Sequence, residues 1–61
     1  MYSVDIKVCG KLKRRIETKD ISTAYKAFYE VLDIESAELS KKYENFVIEL
    51  VDEKVLLQYM N

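Results

Sequence analysis

The chain has no histidine, no proline and no tryptophan, with one glycine and one cysteine among 61 residues. Each shortage excludes something. Without histidine there is no general base that titrates near neutral pH in its ordinary state. Cys9 alone forms no internal disulfide, and without histidine the chain cannot assemble the about four nitrogen or sulfur ligands of a zinc site. A cysteine nucleophile at Cys9 needs a base and an oxyanion hole, and no residue pattern supplies them. Gly10 is no phosphate loop, since that motif needs a second glycine followed by Lys and Ser or Thr. Asp5 and Glu17 each have a basic or polar neighbour to pair with. Asp52-Glu53 is a turn with too few oxygen ligands for a metal. The expectation is a protein that is not an enzyme and uses no cofactor, metal or small-molecule site.

Long apolar runs are also missing. None exceeds three residues, against the ~20 that a membrane-spanning helix needs. The opening MYSVDIKV carries an acid at position 5 and no apolar core, so no secretory signal is expected. One thiol and no signal predict a reducing cytoplasm. Eight of the ten basic residues are lysine. With Pro, Trp and His absent, that bias fits AT-rich coding and suggests a bacterium of low GC content or one of its mobile elements as the source.

What is present is 49% hydrophobic residues, enough for a folded domain. Residues 1–61 make one small domain. A chain of this size buries only about 60% of its unfolded surface, so a partner chain is a natural supplement to its core. Net charge is −1, from 10 basic and 11 acidic residues. The halves differ: residues 1–31 hold seven Lys/Arg and four Asp/Glu, and residues 32–61 hold three and seven. Such lopsidedness suits complementary contacts better than a uniform polyanion-binding surface.

Residues 2–8 alternate, with Tyr2, Val4, Ile6 and Val8 on one face, which predicts a half-buried strand. A three-residue loop at Cys9-Gly10-Lys11 then sets Val8 opposite Leu12, Ile6 opposite Arg14 and Val4 opposite Ile16. The other face pairs Asp5 with Arg15 and Ser3 with Glu17. Residues 20–33 predict a helix: Ile21, Ala24, Tyr25, Phe28, Val31 and Leu32 recur at spacings of three and four, behind a cap from Asp20 or Ser22. Residues 34–43 suit strand, helical turn or loop; Ala37 and Leu39, two apart, favour a strand over 36–41. In the last segment a turn at Asp52-Glu53 sets Leu50 opposite Val55, Ile48 opposite Leu57 and Phe46 opposite Tyr59. The expected class is α+β, a small antiparallel sheet of chain order β-β-α-β-β-β with one helix on one face.

One helix covers one face only. The other face of the final hairpin carries Val47, Val51, Leu56 and Met60, broken by Glu49, Lys54 and Gln58. Soluble monomers seldom expose such a patch. The expected interface is therefore Val47, Val51, Leu56 and Met60 with Glu49 and Gln58 at its rim, and the expected partner is a second copy or another protein. The alternative is nucleic acid, held by Lys7, Lys11, Lys13, Arg14, Arg15 and Lys19 on the hairpin 7–19. A two-stranded ribbon fits a major groove. Against it stand a pI near 5.3, Asp5 and Glu17 on the same face, and no aromatic residue among the cations to stack on bases. Lysines at a sheet edge also serve simply to block aggregation.

Overall fold

The turn after residue 8 sets the geometry of the first hairpin. A computed structural model describes residues 1–61. β1 (Tyr2–Val8) and β2 (Lys11–Thr18) are joined by Cys9 and Gly10 alone. Both have positive φ, 54° and 78°, as a two-residue turn matched to the strand twist requires. The expected three-residue loop is thus one residue too long. The pairs Val4–Ile16, Asp5–Arg15, Ile6–Arg14 and Ser3–Glu17 form nonetheless. A bulge reconciles the two: Lys7 pairs with Leu12 and Ile6 with Arg14, leaving Lys13 as an extra residue. Its cost is Leu12, which sits opposite Lys7 on the polar face instead of meeting Val8.

A side chain at the φ of Cys9 is strained, less so for Asn than for other residues. Cys9→Asn is expected to stabilise the fold by about 1 kcal/mol, or ~4–8 °C in Tm for a chain of this size. Thermal melting by circular dichroism checks it; an unchanged or lower Tm contradicts this account of the turn.

α1 runs Ile21–Lys42, 22 residues. Asp20 caps it, its carboxylate accepting the Thr23 backbone N–H at 2.9 Å and the Thr23 hydroxyl at 2.6 Å. Those bonds hold the Asp20 pKa below its ordinary value. The linked stability is present above the usual carboxylate range and fades as pH falls through the depressed pKa. Asp20→Ala should lower Tm by about 5 °C at neutral pH. In melts at successively lower pH that difference should shrink.

The strand expected over 36–41 is not there. The helix continues because Leu39 is buried and keeps the core stripe begun by Ala24, Phe28 and Val31. Glu35, on the same side, pairs with Arg14 of β2. Lys41 and Lys42 occupy the last turn, where cations favour the helix dipole. Tyr43 leaves in extended conformation, its N–H still donating to the Leu39 carbonyl at 2.8 Å.

β3 (Phe46–Asp52) and β4 (Lys54–Met60) complete a four-stranded antiparallel sheet of order β2-β1-β3-β4. The α+β class with one helix on one face is as expected, with four strands instead of five. β3 returns beside β1, pairing Leu50 with Val4, Ile48 with Ile6 and Phe46 with Val8. The register of β4 differs from expectation. Glu53 alone turns the chain, at φ 59°, between paired Asp52 and Lys54. Val51 then meets Val55, Leu50 meets Leu57 and Ile48 meets Tyr59, with Leu56 bulged between them. The core is Val4, Ile6, Phe46, Ile48 and Leu50 under Ala24, Phe28, Val31 and Leu39. α1 lies over β3, β1 and β2 and leaves β4 largely uncovered.

Candidate interaction surface

Three rows of side chains cross the sheet on the face away from α1. The strand registers place Arg15, Asp5, Glu49 and Gln58 side by side, one from each strand, in the middle row. Asp5 and Glu49 lie directly opposite one another, and like charges there repel. Each carboxylate has its own cation. Arg15 donates from Nε to Asp5 Oδ1 at 2.9 Å and from Nη2 to Oδ2 at 3.1 Å, a bidentate pair. Lys7 Nζ lies 2.9 Å from Glu49 Oε1, and Gln58 Nε2 donates to Glu49 Oε2 at 3.3 Å. The hydrogen bond and charge of Asp5 raise the Arg15 pKa further above its ordinary value. Although no helix covers this face, Asp5 is 2% exposed and Glu49 5%. Neighbouring stems and their own pairs close over them.

Glu49 is therefore not a rim residue; it is the buried centre of the face. The flanking rows are Glu17, Ser3, Val51 and Val55 on one side, and Leu12, Lys7, Val47 and Met60 on the other. Of the six expected interface residues, Val47, Glu49, Val51, Gln58 and Met60 share this face. Leu56 does not belong with them. The bulge turns it onto the helix-side core, and Val55 takes its place, 49% exposed. Leu56→Glu would consequently damage the fold before it tested any interface. Val55 and Leu12 were missed because a bulge reverses the facing of its neighbours without leaving a mark in the hydrophobic pattern.

The inner side of β4 is also partly open. Tyr59, 37% exposed, packs 5.9 Å from Phe46 between ring centres, and Leu57 is partly buried against the core. On the helix, Glu35, Glu38 and Lys42 line a shallow hollow with Lys13 over β2. Tyr25, Tyr29 and Leu32 lie about 100° round the helix from them. Tyr25 and Tyr29 are exposed there.

The six cations of the first hairpin do not form one surface. Lys7 is held by Glu49, Arg15 by Asp5 and Arg14 by Glu35. Lys13 donates to the Tyr43 hydroxyl at 2.7 Å, and this bond with its charge lowers the Tyr43 pKa. Lys7 and Arg15 are on the open face, whereas Lys13 and Arg14 lean to the helix side. Lys11 and Lys19 flank opposite ends of β2, about 25 Å apart at ~3.3 Å per residue.

These features define a class: a small α+β domain of β-β-α-β-β order whose last strand is an uncovered edge. No protein-family model, curated protein or solved structure matches the chain. No helix is long and apolar enough to cross a membrane.

Proposed function

We propose that this chain is a non-catalytic interaction module of the cytoplasm that associates with a second copy of itself through the β3–β4 hairpin. The observation that carries the proposal is the concentration of exposed apolar side chains on one edge strand. Val55, Tyr59 and Met60 of β4 are 49%, 37% and 67% exposed. On the face away from α1, Val47 lies beside Met60 and Val51 beside Val55, while Tyr59 opens on the helix side of the same edge. Burying it against a copy supplies what so small a core lacks. Nucleic-acid binding is less well supported, because four of the six hairpin cations already hold a partner within the molecule.

Sedimentation equilibrium across a wide concentration range tests the proposal. The expected mass is twice 7.2 kDa, falling to 7.2 kDa for the double variant Val55→Glu, Met60→Glu. Both sites are exposed, so the variant should still fold. A monomer at every concentration removes the proposal. A parallel titration with DNA and RNA oligonucleotides at low salt should leave the amide resonances of residues 7–19 unmoved.

A further inference from the structure

We infer that the two copies join strand to strand: β4 pairs antiparallel with β4 of the second copy across a twofold axis at Gln58, giving one eight-stranded sheet. This rests on the self-association proposed above and specifies its geometry.

The two free edges of the sheet are unlike. β2 carries Lys11, Lys13, Arg14 and Arg15, with Lys19 beyond, and a bulge at Lys13, its third residue. Lysines are one way in which edge strands repel other strands. β4 has one charge, Lys54, at its first residue; its bulge, at Leu56, is likewise at the third residue, so charge is what distinguishes the two edges. From Leu57 to Met60 it is regular and uncharged. An open head-to-tail polymer would need β4 to add to the guarded β2 edge; a closed twofold dimer needs only β4.

The backbone shows which residues would pair. The Asn61 N–H donates to the Phe46 carbonyl at 3.1 Å. Hydrogen-bonded pairs alternate along an antiparallel ladder, so Tyr59–Ile48 and Leu57–Leu50 are bonded inward. The N–H and C=O groups of Gln58 and Met60 therefore point to the free edge. A twofold axis at Gln58 joins its N–H and C=O to those of Gln58 in the second copy.

The side chains agree with that axis. Gln58 gives one amide hydrogen to Glu49, leaving its carbonyl and second N–H for the same amide of the other copy. The polar row Arg15–Asp5–Glu49–Gln58 then runs unbroken into its own mirror order across both sheets. On the helix side, Leu57 falls opposite Tyr59 of the second copy. No like charges meet, since Lys54 lies at the far end. A standard interface takes about 800 Å² from each partner, roughly a fifth of the 4333 Å² this chain exposes.

Amide hydrogen exchange by NMR, at dilute and concentrated protein, reads this directly. The Gln58 and Met60 amides should slow by at least about tenfold on concentration, while amides along the β2 edge keep their rates. Gln58→Lys places two cations at the axis yet can still pair with Glu49; dimer affinity should fall on the order of a hundredfold. Gln58→Pro removes the outward N–H at a position where an edge strand tolerates proline, and should also yield monomer. Lys11→Glu with Lys19→Glu, on the other edge, should remain dimeric. A dimer whose Gln58 and Met60 amides stay fast, or one that survives both Gln58 substitutions, overturns the strand pairing and leaves the association itself in place. A monomer throughout overturns both.

Discussion

Arg15→Ala is expected to be among the most damaging single changes on the surface of this protein. Arg15 itself is half exposed and would lose little by returning to water. Its partner cannot follow: Asp5 is 2% exposed and faces buried Glu49. Stranding that carboxylate should cost about 3 kcal/mol, because removing one member of a buried pair leaves an uncompensated charge. Urea denaturation at neutral pH measures the loss. Replacing the pair together, Asp5→Leu with Arg15→Met, should return stability to within about 1 kcal/mol of the parent. If the double replacement is as unstable as Arg15→Ala, the pair is stabilising in its own right and this account of the row is wrong.

Ile48→Ala should be at least as severe. Ile48 is fully buried at mid-strand on β3, between Ile6 and Tyr59 and under the helix. Truncating such a side chain costs about 2–5 kcal/mol in transfer and cavity terms. The whole stability of a 61-residue chain is about 3–9 kcal/mol, so the variant should be largely unfolded at 37 °C by circular dichroism. Val47→Ala, one residue away on the opposite face, should cost less than about 1 kcal/mol in the monomer. In a dimer, association stabilises the folded form of both by mass action and makes their Tm depend on concentration. Similar losses at 47 and 48 would mean that the face away from α1 is packed as tightly as the core.

Strand alternation made β1, β3 and β4 legible, since Val4-Ile6-Val8, Phe46-Ile48-Leu50 and Leu57-Tyr59 keep period two wherever they face the helix. The first half of α1 was legible from Asp20 and the spacing of Ala24, Phe28 and Val31. Its second half was not. Ser36, Ala37, Glu38 and Ser40 carry no stripe of their own, and Leu39 is consistent with either period until a sheet lies beneath it. Along the open face, the Asp5–Arg15 pair followed from register, while Glu49 looked like a rim residue because only three strands side by side reveal what surrounds it.

By itself, the sequence determined the class of fold, roughly where the two turns fall, where the helix starts and most of the apolar residues that must be inside. Those depend on local chemistry and on the period of apolar residues, which are written along one dimension. The tertiary structure decided the length of the helix, the order β2-β1-β3-β4, the placing of both bulges and hence the face on which Leu12, Val55 and Leu56 lie. Each is a compromise between a turn that sets one register and a core that demands another. An extra residue in a strand settles such a conflict, and only pairing with a neighbour fixes where it goes.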